Sequence, residues 1–141
     1  MYRGHPKWGA SVERVTGIGG VFFRASDSGA LSRWYEHHLG VGGPPPTYEH
    51  RSWEQEAGPT VFAPFPGGSE HFQRPEQQWA INFRVRDLDA MVAQLRDAGI
   101  AVEVHAETYP NGRFADLADP EGNPVQLWEP AGADAVRPPD E

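Results

Sequence analysis

Apolar residues recur at helical spacing in two stretches of the chain, and each stretch lies between an acidic residue and a glycine. The first follows Ser26 and Asp27 and ends at Gly40, and the second follows Asp87 and ends at Gly99. A Ser or Asp side chain can cap the first turn of a helix, and glycine accommodates a left-handed end. The pattern predicts two amphipathic helices. Their apolar positions are Leu31, Trp34, Tyr35 and Leu39 in the first, and Leu88, Met91, Val92 and Leu95 in the second.

Strand patterns flank both helices. Runs rich in β-branched and aromatic residues, bounded by glycine and proline, are typical of strands. The predicted strands are residues 15–25, 47–53 and 60–65 in the first half, and 79–85, 100–105, 113–117 and 125–128 in the second. The last two are expected to form a hairpin. Each half therefore has a strand, a helix and then antiparallel strands, and the polar residues 66–78 connect the halves.

The two halves are also related residue by residue. Adding 60 to the residue number carries Phe23 to Phe83 and Asp27 to Asp87. Self-similarity on this scale is typical of a duplicated unit that cannot close its core alone. We therefore expect one α+β domain over residues 14–131, between tails at 1–13 and 132–141. Module 1 would span about 14–66 and module 2 about 79–131, and the two sheets would curl around an open cleft.

Composition limits the classes of function. The chain has 141 residues, of which 38% are hydrophobic, so it can bury one core. It has no cysteine, which excludes disulfides, thiolate nucleophiles and cysteine-bound zinc. No apolar run approaches the ~20 residues of a spanning helix, so we expect no membrane partner and a cytoplasmic location. The net charge of −8, with scattered basic residues, argues against nucleic acid as a partner.

The stretch from Asp119 to Pro130 combines a tight turn with a strand. Its sequence, DPEGNPVQLWEP, opens with residues that favour turn geometry. Side chains alternate along the strand that follows, so Val125 and Leu127 point to one face and Gln126 and Trp128 to the other. One face is expected to join the core, and the other offers an amide and an indole to whatever lies opposite.

Four segments together resemble the vicinal oxygen chelate (VOC) superfamily, which includes glyoxalase I, bleomycin resistance proteins and extradiol dioxygenases. They are IGGVFFR at 18–24, WYEHHLG at 34–40, NFRVRDLDA at 82–90 and DPEGNPVQLWEP at 119–130. The resemblance implies the glyoxalase/bleomycin resistance/dioxygenase fold, in which two βαβββ modules form a curved mixed sheet around a cleft. It also implies a homodimer, and a divalent metal held by side chains of the first and last strands of each module.

Few of the positions that the resemblance assigns to metal binding carry a side chain that can coordinate a metal ion. Two of them fall at Gly20 and Ala80, and a third falls near Thr60. Gln126 occupies the position that is commonly glutamate, and one neutral amide does not hold a divalent ion. We therefore expect no metal and no other cofactor. The alternative is a displaced metal site that uses His50 with His71.

If Gly20 and Ala80 face the cleft, strand alternation brings aromatic, amide and guanidinium side chains there. The expected ligand-binding residues are Phe22, Arg24, Trp53, Thr60, Phe62, Trp79, Asn82, Arg84, Gln126 and Trp128. Arg24 and Arg84 could together bind an oxyanion, or each could instead pair with a nearby acid on the surface. No residue is assigned a catalytic role.

Three functional hypotheses follow from these residues and the resemblance. The first is a small-molecule-binding protein of the VOC fold with a degenerate metal site, which sequesters an aromatic or cationic compound or confers resistance to it. The alternative is a VOC-type enzyme, namely a glyoxalase-like lyase, an isomerase or a dioxygenase, with displaced metal ligands. The third is a structural or partner-binding module whose cleft is filled by its own side chains.

Overall fold

The computed structural model describes residues 12–136. Its elements, in chain order, are α1 (Ser28–Leu39), β1 (Ile81–Arg84), α2 (Leu88–Asp97), β2 (Glu103–Val104), β3 (Gly112–Ala118) and β4 (Pro124–Pro130), followed by a 3-10 turn at Gly132–Asp134. Most of the predicted tail at 1–13 and the end of the tail at 132–141 lie outside the described residues. Neither helix within residues 12–136 is long and apolar enough to cross a membrane.

Both predicted helices are confirmed, and they begin in the same way. The Asp27 carboxylate accepts a hydrogen bond from the backbone N–H of Ala30, and the Asp87 carboxylate accepts one from the N–H of Ala90, each at 3.0 Å. These bonds satisfy N–H groups that have no partner inside the first turn. Gly40 has φ of 73°, a left-handed conformation that glycine adopts without steric cost.

The four strands form one mixed sheet in the order β1-β4-β3-β2. β1 lies parallel to β4, whereas β3 and β4 form an antiparallel hairpin, as the sequence predicts. All four second-half strands are confirmed, although β1 and β2 are shorter than predicted. The sheet with two helices establishes the α+β class.

The hydrophobic core lies between one face of this sheet and both helices. Val125 and Leu127 of β4 are buried on that face, as the alternation predicts. Leu127 is fully buried, which stabilises the fold by about 1.5–3 kcal/mol relative to leaving the side chain exposed. From α1, Leu31 and Tyr35 join the same cluster. The first-half helix is therefore part of the second-half core.

The turn at 119–123 fastens α1 to the sheet. The Tyr35 hydroxyl donates to the Asp119 carboxylate at 2.7 Å in a buried contact. The same carboxylate accepts from the backbone N–H groups of Glu121 and Asn123 and from the Asn123 side-chain amide. Burial and, after it, the bond to Asp119 raise the pKa of Tyr35 well above its usual range. We call this set of contacts the turn clamp.

The carboxylate of Glu121 adds a second connection to the turn clamp. Its two oxygens accept hydrogen bonds from the backbone N–H groups of Ser26 and Asp27, at 2.6 and 2.9 Å. These donors lie just before α1, where a negative charge is favourable because the helix dipole is positive at that end. The turn of the second half therefore sets the position of the first-half helix.

The strands predicted at 15–25, 47–53 and 60–65 are wrong, because none of these segments has strand pairing in the described residues. A strand needs another strand to satisfy its N–H and C=O groups, whereas a helix satisfies its own. Apolar side chains in these segments are exposed, including Phe22 at 96% and Phe62 at 82%. Within residues 12–136, the alternating pattern of these segments therefore does not correspond to a buried face of a sheet.

Candidate functional site

One line of polar side chains crosses the sheet on the face opposite the core. Register places Asn82 of β1 beside Gln126 of β4, and Gln126 beside Asp116 of β3. Asn82 Nδ2 donates to Gln126 Oε1 at 2.8 Å, and Gln126 Nε2 donates to Asp116 Oδ1 at 3.1 Å. The other Asp116 oxygen lies 2.7 Å from Nε2 of His105, which follows β2. We call these four residues the polar row.

The hydrogen bonds of the polar row fix the orientation of each member. An ionised carboxylate only accepts hydrogen bonds, so the His105 nitrogen that faces Asp116 carries a proton. Gln126 donates to the other carboxylate oxygen, which sets the amide so that its oxygen faces Asn82. In neutral His105, Nδ1 is then the unprotonated nitrogen, and it has no hydrogen-bond partner within residues 12–136.

A second group of side chains, two of them aromatic, lies on the same face. Each is two residues along its strand from a member of the polar row. Arg84, Trp128 and Phe114 are register neighbours on β1, β4 and β3. The rings of Phe114 and Trp128 are stacked, with centroids 6.1 Å apart and planes 2° from parallel. The ring of His105 lies 6.0 Å from that of Phe114. Half-buried aromatic surface therefore adjoins the hydrogen-bonding groups of the polar row.

Trp128 has a packing role within this group. It is 3% exposed, and its Nε1 donates to the backbone carbonyl of Asn111 at 2.9 Å. A Cβ at Gly112 would lie 2.8 Å from this nitrogen and would overlap the Glu129 carbonyl oxygen, and Gly112 has φ of 136°. The glycine therefore allows the tryptophan to lie against the hairpin.

Arg84 is held by the first half of the chain. Its Nη2 donates to the backbone carbonyl of Glu56 at 3.1 Å, and a Cβ at Gly58 would overlap its guanidinium. The neighbouring Arg86 pairs with the Glu56 carboxylate at 2.7 Å. Arg84 thus binds a backbone carbonyl. The surface ion pair with a nearby acid, which was the alternative for Arg84, is formed by Arg86 instead.

The structure brings together four of the ten predicted cleft residues. Asn82 and Arg84 of β1 lie beside Gln126 and Trp128 of β4. No hydrogen bond or aromatic contact joins the remaining six to these four within the part of the chain that the structure describes. The six are Phe22, Arg24, Trp53, Thr60, Phe62 and Trp79. Five of them belong to the segments that lack strand pairing.

The side chains at the expected metal positions do not fit a divalent ion. Gly20 and Ala80 supply no donor atom, and the Gln126 amide already bonds Asn82 and Asp116. Within residues 12–136, no three His, Cys, Asp or Glu side chains are close enough to hold one metal ion. In the alternative pair, His50 Nδ1 lies 2.7 Å from the Thr47 hydroxyl, and the ring of His71 stacks on Phe65.

Sequence reasoning did not assign Asp116 and His105 to the site. The hairpin register places Asp116 opposite Gln126, and that register follows from the turn at 119–123, so a signal for Asp116 was present. His105 depends on how β2 pairs with β3, and the sequence does not specify that register. Beside Asp116 lies a shallow depression of about 350 Å³, which Gln73, Val102, Glu103 and Leu117 also line. Register places Glu103 directly opposite Asp116.

Known proteins are similar in sequence to parts of this chain. Residues 20–128 match the model of the glyoxalase-like domain family. The anthracycline biosynthesis protein DauV of Streptomyces sp. (strain C5) is 43% identical over 63 residues, which cover 41% of this chain and only 23% of DauV. A glyoxalase/bleomycin resistance protein from Streptomyces sp. CB03234 is 37% identical over 35% of this chain and 42% of its own, with a TM-score of 0.32.

A third likeness covers more of the chain at lower identity. TnmS3, an antibiotic binding protein from Streptomyces sp. CB03234, is 22% identical with a TM-score of 0.45, over 75% of this chain and 88% of its own. The family model spans the helices, the sheet and the polar row. The chain therefore belongs to the glyoxalase-like domain family of the VOC superfamily.

Proposed function

We propose that this protein binds a small planar aromatic molecule on the sheet face that carries the polar row, without a metal ion. The observation that carries the proposal is the polar row itself, in which two amides, a carboxylate and an imidazole are aligned beside the Phe114 ring. Small-molecule sites typically combine apolar and aromatic walls with a few oriented polar groups.

The polar row offers hydrogen-bonding capacity that its internal bonds do not use. The Asn82 amide oxygen, an acceptor, has no hydrogen-bond partner within residues 12–136, and Asn82 is exposed. His105 Nδ1 is a second acceptor at the other end of the row. These two groups suit a ligand with donors along one edge, while the half-buried Phe114 suits an aromatic ring.

The side chains at the expected metal positions favour ligand binding without a metal ion. A divalent ion in this family would need several oxygen or nitrogen ligands that converge on one point. Glycine and alanine occupy two of the expected positions, and the remaining amide is committed to its neighbours. We therefore propose sequestration of the ligand as the role, which is compatible with resistance. The partial likeness to an anthracycline biosynthesis protein suggests polycyclic aromatic compounds as first candidates.

Calorimetric titration with a panel of planar aromatic compounds tests this function. We expect one binding site per chain and a loss of affinity of about tenfold, or about 1.4 kcal/mol, in Gln126→Ala, because the Gln126 amide orients Asn82 and Asp116 through its two hydrogen bonds. Gln94→Ala, on α2, is the matched control. Elemental analysis of the untreated protein should find no stoichiometric metal, and a tightly bound divalent ion would contradict the proposal.

The alternative function is that of a VOC-type enzyme whose catalytic groups are displaced from the usual positions. The observation that favours it is the contact of His105 with Asp116, since a carboxylate that orients an imidazole is a common acid-base arrangement. Chemical conversion of a bound compound, followed by mass spectrometry, distinguishes the two. Turnover that is lost in His105→Gln would favour the enzyme over sequestration.

We also propose that the protein forms a homodimer. The unpaired segments at 15–25 and 60–65 expose several large apolar side chains, and a second copy of the chain could cover them. Sedimentation should give a dimer that dissociates on dilution, and Phe62→Ser should weaken it. A wild-type protein that stays monomeric at high concentration would contradict this.

A further inference from the structure

The geometry of the polar row points to a specific role for His105: we propose that its Nδ1 accepts the proton of a phenolic hydroxyl on the bound ligand. This inference rests on the proposed function and narrows the ligand to hydroxylated aromatic compounds. His105 touches the ligand in this account, whereas Asp116 is a positioning residue that acts through the imidazole.

The contact with Asp116 fixes the tautomer of His105. Its Nε2 lies 2.7 Å from Asp116 Oδ2, and the carboxylate can only accept. The proton therefore lies on Nε2, and the basic lone pair lies on Nδ1. The second Asp116 oxygen accepts from Gln126, which in turn accepts from Asn82, so that the carboxylate is held in one orientation.

His105 and Asp116 are accessible from the solvent. The side chains of His105 and Asp116 are 28% and 33% exposed, so the pair lies at the surface of the sheet face without being fully solvated. The ring of His105 is tilted by 36° against Phe114. An aromatic ligand packed beside Phe114 would lie next to this imidazole, whose Nδ1 has no hydrogen-bond partner among residues 12–136.

Proton transfer from the ligand to His105 leaves the net charge of the site unchanged. The O–H bond of the ligand breaks, its electron pair stays on oxygen, and a new N–H bond forms at Nδ1. The site gains a phenolate and an imidazolium, so its net charge does not change. Asp116 stabilises the imidazolium directly, and Glu103 lies opposite Asp116 on β2. No oxidant, reductant or other reactant is needed, and the proton returns to the ligand on release.

A pair of matched probes tests this role. 2-Hydroxyanthraquinone absorbs at longer wavelength when it is ionised, and 2-methoxyanthraquinone has no proton to give. In a buffer where the free hydroxy probe is protonated, the wild-type protein should bind it and show the phenolate band. His105→Gln should lose the band and bind the hydroxy probe about tenfold more weakly, a change of about 1.4 kcal/mol, with its affinity for the methoxy probe unchanged.

Two further variants show whether the effect is specific to the contact between His105 and Asp116. His37→Gln, an exposed histidine on α1, should behave as the wild-type protein. Asp116→Asn keeps the imidazole but removes its counter-charge, so it should also lose the band, and it supplies the same readout if His105→Gln does not fold. Thermal unfolding establishes which variants are folded.

The outcomes separate this inference from the proposed function. Binding of the hydroxy probe without a phenolate band, or a band that persists in folded His105→Gln, overturns the role of His105 and leaves aromatic binding intact. Failure of the wild-type protein to bind either probe overturns the proposed ligand class together with this inference.

Discussion

Each half of the chain has a helix that begins after an aspartate and ends at a glycine, but within residues 12–136 only the second half has strands in a sheet. In the second half, β1 to β4 pair along their length and bury Val125 and Leu127. In the first half, the segments that correspond by sequence lie without pairing, and α1 packs into the core of the second half. The repeat in the sequence is therefore not a repeat in the pairing.

The comparison shows which signals in a sequence act locally. A helix forms its own backbone hydrogen bonds, so a cap and an apolar stripe are enough to place it on any apolar surface. A strand depends on a second strand that is distant in sequence. The turn clamp links the sheet of the second half to the helix of the first half, because contacts from Asp119 and Glu121 hold that helix.

The largest expected difference between the halves lies in their apolar residues. Leu127→Ala should lower the free energy of unfolding by about 2–5 kcal/mol, because it leaves a cavity in a fully buried position. Phe62→Ala removes a larger side chain, yet it should change stability by less than about 0.5 kcal/mol in the monomer, because Phe62 is 82% exposed. Urea unfolding of both variants at low protein concentration measures the contrast, and equal losses would contradict it.

The turn clamp should give the next largest effect. Asp119→Ala leaves the Tyr35 hydroxyl and the N–H groups of Glu121 and Asn123 without their shared acceptor. We expect a loss of about 2–3 kcal/mol in the free energy of unfolding. Asp97→Ala, an exposed aspartate at the end of α2, is the matched control and should be nearly neutral. A loss no greater than that of the control would show that the clamp does not hold α1.

A smaller and pH-dependent effect is expected for Tyr35→Phe. At neutral pH the variant should lose about 1.5 kcal/mol, because a buried hydrogen bond to a charged group is removed. The folded-state pKa of Tyr35 is raised, so its contribution is complete below the unfolded pKa of about 10. Above that pH the unfolded state releases the phenol proton and the folded state keeps it, so wild-type stability falls.

Unfolding curves from pH 7 to pH 11 measure this difference. The stability advantage of the wild-type protein over Tyr35→Phe should be constant up to about pH 10 and decrease above it. An advantage that grows with alkaline pH would have the wrong sign and would contradict the buried contact with Asp119.

The smallest expected effect concerns a surface ion pair within the second half. Arg113 lies 3.0 Å from the Asp89 carboxylate, and its guanidinium lowers the pKa of Asp89 by hydrogen bonding and charge. Asp89→Asn should change the unfolding midpoint less than Tyr35→Phe does, and 1 M salt should remove the difference from the wild-type protein, because such pairs are screened. A salt-independent loss would indicate a packing role for Asp89.

Features that depend on neighbouring residues could be predicted from the sequence. Both helix caps, the turn at Asp119 and the alternation along β4 follow from local chemistry, and the structure confirms them. The family could also be predicted, because its segments occur in order in both halves. The first-half strands could not be predicted correctly, because their pattern says nothing about whether a partner strand is present.

In the candidate site, too, some features follow from local sequence and others depend on residues that are distant in sequence. Asn82 and Gln126 could be placed on one face from alternation alone, and they form a hydrogen bond. Their connection to His105 requires the register of the two-residue strand β2, which no local signal supplies. Arg84 also departs from expectation, because the backbone of Glu56 reaches it from 28 residues away.

Amide hydrogen exchange of the monomeric fraction tests the difference between the halves most directly. Exchange reports the local free energy of opening, so residues in a paired, packed element are protected. The account predicts that α1 is protected together with β3 and β4, while residues 15–25 and 60–65 exchange quickly, and that Asp119→Ala selectively deprotects α1. Protection of residues 15–25 in the monomer equal to that of β4 would contradict it.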